Sequence, residues 1–148
     1  MYCEYMVNGD LMQTVNKFNK LTVEHGKFYA AQIVSCFEYL HANQLIYRDL
    51  KPENVLLQSS GYVKLADFGF IKKLQNWERT YTFCGTPEYM APEIIQNKGY
   101  SQAVDWYALG IFIYELHNSK PPSRRTGEAR VCTGQKVHTA LGVFHRFA

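Results

Sequence analysis

Residues 105–117, Asp-Trp-Tyr-Ala-Leu-Gly-Ile-Phe-Ile-Tyr-Glu-Leu-His, are apolar on nearly every side of a helical wheel. A helix with one apolar stripe can lie on a surface, but one that is apolar all round has to be enclosed by neighbours. The chain must therefore fold several elements around this segment. Its longest apolar run, Trp106 to Tyr114, is far short of the ~20 residues that span a bilayer. Met1-Tyr2-Cys3-Glu4 has no basic start, and Asn8-Gly9-Asp10 interrupts any apolar stretch, so no signal peptide is expected. The expectation is a soluble, cytoplasmic protein. The 148 residues are 47% hydrophobic and 20% charged, which excludes a disordered chain and suits one domain or part of a larger one.

The elements that would enclose the buried segment are legible in outline. Asp10 is placed to cap a helix, with Gln13 at the capping-box position and Leu11, Val15 and Phe18 at helical spacing. A longer helix is predicted over Val23–Ala42, where Tyr29, Ile33, Phe37 and Leu40 share one face. Val55-Leu56-Leu57 and Tyr62-Val63-Lys64-Leu65 read as strands joined by the turn Gln58-Ser59-Ser60-Gly61. Asp67 to Gly85 lacks a sustained period and reads as a long loop, a length that tends to be functional. Pro92-Glu93 suits the first turn of a short helix.

Charge is unevenly spread. Residues 1–116 carry ten Lys/Arg against twelve Asp/Glu, a net −2, while residues 117–148 carry six against one, a net +5. The body is slightly acidic, so a nucleic-acid partner is not expected. Residues 123–148 have few large apolar side chains and read as a divergent, poorly ordered basic tail. Cys3, Cys36, Cys84 and Cys132 follow no zinc or C-x-x-C spacing and are read as reduced thiols. The five histidines follow no metal spacing either, and none is assigned a role.

Chemistry is concentrated in three segments. Tyr47-Arg48-Asp49-Leu50-Lys51-Pro52-Glu53-Asn54 joins Asp, Lys and Asn at intervals of two and three in a turn-rich stretch. Asp67-Phe68-Gly69 follows eighteen residues after Asp49, and Gly85-Thr86-Pro87-Glu88-Tyr89-Met90-Ala91-Pro92-Glu93 comes later. Phosphoryl transfer accounts for such a set. It needs a carboxylate to take the proton of the attacking hydroxyl, oxygen ligands for Mg²⁺ and a cation near the transferring group.

Together these motifs resemble the protein-kinase signature. Lys51-Pro52-Glu53 and Gly85-Thr86-Pro87-Glu88-Tyr89 are similar to serine/threonine kinases. Tyr47 and Phe83-Cys84-Gly85-Thr86 resemble the AGC group. Phe28-Tyr29-Ala30-Ala31-Gln32-Ile33-Val34, Glu38-Tyr39-Leu40-His41 and Ala103-Val104-Asp105-Trp106 are most similar to cyclic-AMP-dependent kinase catalytic subunits, then to cyclic-GMP-dependent ones. The resemblance covers residues 1–122. It implies a mainly α fold with a short β-hairpin: a partial large lobe with hinge, catalytic loop, activation segment and buried helix.

The resemblance also implies roles. Asp49 would be the catalytic base, and Lys51 would steady the transferring phosphoryl group. Asn54 and Asp67 would bind Mg²⁺. Glu4, Met6, Asp10, Glu53 and Leu56 would lie at the ATP site, with Leu56 under the adenine and Asp10 at the ribose. Arg48 and Lys72 would pair with a phosphate on Thr82, Thr86 would hydrogen-bond within the catalytic loop, and Asp105 would brace that loop. Asp10, Glu53 and Glu115 would grip arginines preceding the acceptor, so the implied partners are protein substrates basic before Ser/Thr and a regulatory subunit.

The chain also departs from the pattern. These 148 residues contain no G-x-G and no V-A-I-K, the family's phosphate loop and strand lysine. Glu93 would lack its usual Arg partner and become solvated. The terminal Phe144-His145-Arg146-Phe147 resembles the family's Phe-x-x-Phe and is read as coincidence. The expectation is a kinase fragment inactive on its own, with a non-catalytic binding module as the alternative.

Overall fold

A computed structural model describes residues 6–75 and 78–123. Expectations about Glu4, Cys3, Cys132 and the tail beyond Ser123 lie outside the described residues.

The apolar segment is the helix α4, Ala103–Asn118, and it is enclosed as its composition requires. Ala108, Leu109, Ile111, Phe112 and Leu116 are buried in the main core, with Trp106, Tyr107, Ile113 and Tyr114 packed at its margin. Its chief neighbour is α2, Val23–Ala42, which buries Ile33, Phe37 and Leu40 along the expected face while Tyr29 stays half-exposed. Each such buried side chain contributes roughly 1.5–3 kcal/mol. The two helices are in contact at Gly26, where a Cβ would lie 2.3 Å from the His117 ring. The backbone confirms the closeness, since the Leu21 amide donates to the Leu116 carbonyl at 2.8 Å.

Helix α1, Leu11–Phe18, buries Leu11 and Val15. Phe18, at the same helical spacing, is instead 62% exposed. Its ring lies under the Lys17 ammonium, 5.6 Å from the centroid.

The hairpin forms from the two expected runs and the turn between them. With β1 at Leu45–Ile46, its strands are β2, Val55–Leu57, and β3, Val63–Leu65, antiparallel with Leu56 opposite Lys64. The turn closes through Gln58 donating to the Tyr62 carbonyl at 2.8 Å.

The stretch from Asp67 to Gly85 corrects its reading as uninterrupted loop. Lys72–Lys73 form a strand, β4, antiparallel to β1. Thr80 and Tyr100 form a further antiparallel bridge. Two-residue strands and single bridges have no period, so alternation cannot reveal them. They hold this segment over a second core of Ile46, Leu74, Met90, Ala91, Ile94, Tyr100 and Val104. Helix α3, Pro92–Ile95, starts at the expected proline. Glu93 sits in its first turn, half-buried, and makes no ion pair among the described residues.

Candidate active site

Asp105 is fully buried in the first turn of α4 and accepts three hydrogen bonds. Its Oδ2 takes the Tyr47 amide at 3.0 Å and His41 Nε2 at 2.8 Å, and its Oδ1 takes the Arg48 amide at 2.9 Å. These bonds hold Arg48 at φ +73, in the left-handed region that costs a non-glycine residue about 1–2 kcal/mol. The turn thereby carries Asp49 across to the hairpin. His41 was not assigned a role from the sequence. It stacks on Phe37 at 5.6 Å and meets the Trp106 edge at 5.3 Å, so its ring faces Asp105 in a fixed orientation.

Asp49, 2% exposed, is the centre of the site. Thr86 donates its hydroxyl to Asp49 Oδ1 at 2.8 Å, and Asn54 Nδ2 donates to Asp49 Oδ2 at 2.8 Å. Lys51 Nζ lies 3.2 Å from that same oxygen and 3.1 Å from the Thr86 hydroxyl. The structure thus brings Asp49, Lys51, Asn54 and Thr86 into one hydrogen-bonded group. Thr86 can approach only because Gly85 precedes it. Gly85 has φ +104, and a Cβ there would lie 2.6 Å from the Arg48 carbonyl oxygen.

Asp67 is exposed at the end of the hairpin, at φ +52, with its Oδ1 accepting the Gly69 amide at 3.1 Å. The preceding backbone is pinned by the buried Tyr47, whose hydroxyl donates to the Ala66 carbonyl. Burial and the nearby carboxylates Asp49 and Asp67 push the Tyr47 hydroxyl well above the usual tyrosine range, so it remains a donor. No group of three or more His, Cys, Asp and Glu side chains suited to a metal occurs among the described residues. Asn54 commits its amide nitrogen to Asp49 and so has its carbonyl oxygen left to offer. One amide oxygen and one carboxylate are a hard-oxygen pair that fits Mg²⁺, which completes its shell with phosphate oxygens and water.

Met6 is half-buried where the described chain begins, and the following turn is fastened to β2. Leu57 donates to the Gly9 carbonyl at 2.9 Å, and Asp10 bridges to Leu56. Asp10 caps α1 with both oxygens. Oδ1 accepts the Gln13 amide at 2.9 Å, and Oδ2 accepts Gln13 Nε2 at 2.8 Å. Glu53 is exposed in the tight turn Pro52–Asn54.

Lys72 donates to the buried Thr80 hydroxyl at 3.0 Å, and the Thr80 and Thr82 hydroxyls are 3.4 Å apart. Arg48 reaches the Phe70 carbonyl at 2.6 Å and the Tyr100 hydroxyl at 3.2 Å. Thr82 is exposed beside this group.

Glu115 is 4% exposed on α4, and its Oε2 has no hydrogen-bond partner. Burial raises its carboxyl to about 7, with the charges of Glu53 and Glu88 adding to the effect. A carboxyl with a raised folded-state pKa binds its proton more tightly folded than unfolded. Its stabilisation is complete below about 4.5 and is lost as pH rises through 7. The chain is therefore expected to lose about 2–3 kcal/mol of stability between pH 5 and 8 from this group, and Glu115→Gln to flatten that slope. Urea melts across this range measure it, and an equally steep slope in the variant would contradict the assignment.

These features define a buried aspartate closed in by a threonine, an asparagine and a lysine, a turn braced from α4, and an exposed aspartate at the end of the hairpin. The protein kinase domain family matches residues 1–142, and the chain belongs to that family. It is 53% identical over 122 residues to cAMP-dependent protein kinase catalytic subunit 3 of Drosophila melanogaster, covering 82% of this chain and 21% of that protein. It is 51% identical over 122 residues to the human cAMP-dependent protein kinase catalytic subunit PRKX, covering 82% and 34%. It is 47% identical over 133 residues to the cGMP-dependent protein kinase egl-4 of Caenorhabditis briggsae, covering 90% and 18%. The chain thus spans about a fifth to a third of the length of these relatives. Among the described residues no helix is long and apolar enough to cross a membrane.

Proposed function

We propose that the chain is the catalytic large-lobe portion of a cyclic-AMP-dependent-type serine/threonine kinase. It would transfer the γ-phosphoryl group of ATP to protein Ser or Thr in the cytoplasm, with a regulatory subunit as a partner. The observation that carries this reading is the closed group around Asp49, in which a buried carboxylate is oriented by Thr86 and Asn54 and balanced by Lys51.

In that reading Asp49 takes the proton of the acceptor hydroxyl, within the hydrogen-bond reach that general-base catalysis needs. Lys51 bridges Asp49 and Thr86, and its ammonium would offset the negative charge that develops on a phosphoryl group transferred beside Asp49. Bound Mg²⁺, held by Asn54 and Asp67, would neutralise phosphate charge. Met6 and Leu56 would contact the adenine. Asp10 would approach the ribose with the lone pairs that its cap leaves over. Thr82 would be the phosphate acceptor of the activation segment, since Arg48 and Lys72 converge beside it.

Glu115 supports a preference for basic substrates. An unpartnered buried carboxylate beside Glu53 and Glu88 is relieved by an incoming guanidinium, which donates paired hydrogen bonds. Asp10 is tied to Gln13, so the arginine nearer the acceptor, read by Glu53 and Glu115, should dominate. Peptide arrays on the chain fused to the part of a cAMP-dependent relative that it does not match test this. Glu115→Gln is expected to weaken selectively the use of the nearer arginine, and a preference for acidic or proline-directed sites would overturn the assignment.

A further inference from the structure

We infer that Tyr100 is a positioning residue for residues 80–84: its hydroxyl holds this segment against the catalytic loop by occupying the Arg48 guanidinium. The second half of the inference, that a phosphate on Thr82 would take over this place, rests on the proposed reading of Thr82.

Tyr100 is 3% exposed, and it lies beyond the segment that it holds. Its backbone exchanges both hydrogen bonds with Thr80, each 2.9 Å. Its side chain then reaches two residues further along the same segment. The phenol has one proton, and it donates that proton to the Thr82 carbonyl at 2.6 Å. Its lone pairs accept Arg48 NH1 at 3.2 Å, and the Cys84 sulfur lies 3.8 Å away. One hydroxyl therefore links the residue before Asp49 to the middle of the activation segment.

The link is made of neutral acceptors. Arg48 is in neither of the ion pairs His41–Asp105 and Lys51–Asp49. Its guanidinium is held by the Phe70 carbonyl and the Tyr100 hydroxyl. A phosphate carries about −1.5 to −2 charge and accepts stronger bonds from a guanidinium than a phenol does. Tyr100 accordingly matters most while Thr82 is unmodified.

Tyr100→Phe removes the oxygen and keeps the buried ring. In the unmodified chain the amides of Thr80 and Tyr100 are expected to exchange ~10-fold faster, the size expected for losing a hydrogen bond to a charged donor. The amides of α4 should be unchanged. Alkylation of Cys84 by iodoacetamide should accelerate similarly, with Cys36 on α2 as the internal reference. Arg48→Met, which cuts the link from the other side, should give the same pattern, and the double variant should show less than the sum. Unchanged exchange at residues 80 and 100, or equal acceleration at α4 and Cys36, would overturn the inference. Phosphate installed at Thr82 by semisynthesis should restore slow exchange in Tyr100→Phe. If it does not, the Thr82 reading fails while the positioning role stands.

Discussion

Asp49→Asn is expected to lower turnover on the order of 10²–10⁴-fold in the chain fused to the unmatched part of a cAMP-dependent relative, the usual worth of a positioned general base. The substitution keeps the shape of the side chain and removes its basicity. One end of the amide can still accept the Thr86 hydroxyl, which bonds Asp49 Oδ1 at 2.8 Å. Turned the other way, the amide oxygen can accept both donors at the opposite end, Asn54 Nδ2 at 2.8 Å and Lys51 Nζ at 3.2 Å, while its nitrogen donates to the Thr86 hydroxyl oxygen, so the group can stay closed without a base. Peptide KM should change little, because in the proposed reading Asp49 would reach the acceptor hydroxyl and not the upstream residues. Steady-state assays separate the two parameters. A variant that keeps more than a tenth of the parent kcat would remove Asp49 from the role of base.

Asp105→Ala is expected to be the most destabilising single change at the site, by about 3–5 kcal/mol. The carboxylate is fully buried, and its removal strands three donors: the amides of Tyr47 and Arg48 and the ring of His41. A domain has only ~5–15 kcal/mol in total. Urea denaturation of the 148-residue chain, followed by circular dichroism, measures the difference. Asp105→Asn should cost less, because its carbonyl oxygen can still accept one of these bonds. A loss below about 1 kcal/mol for alanine would mean that the catalytic loop does not hang from α4.

The two variants bear on what can be read from a chain of this kind. The long helices were legible, α2 because its buried residues recur at helical intervals and α4 because it is apolar on nearly every side. The hairpin was legible through two short β-branched and aliphatic runs and the turn Gln58-Ser59-Ser60-Gly61 between them. The candidate site was legible as an ordered set of polar residues near turns, although spacing alone could not show that Thr86 closes on Asp49 across 37 positions. Pairings between distant short segments were not legible. β1 with β4 and Thr80 with Tyr100 are each one or two residues long, and their stability comes from the second core beneath them. His41 and Tyr100 escaped for a related reason. Both act through one polar atom aimed at a partner far along the chain, and both rings otherwise sit among apolar side chains. Phe18 shows the limit of spacing alone, since it lies on the expected helix and the fold leaves its ring in solvent.

The most direct test follows labelled γ-phosphate from ATP to a peptide with arginines ahead of a serine. The chain should be fused to the unmatched part of a cAMP-dependent relative and phosphorylated on Thr82. Label is expected on the serine, dependent on Mg²⁺ and abolished in the Asp49→Asn variant. A well-folded, phosphorylated fusion that binds the peptide and transfers no label would contradict phosphoryl transfer at Asp49 and leave the chain a binding module.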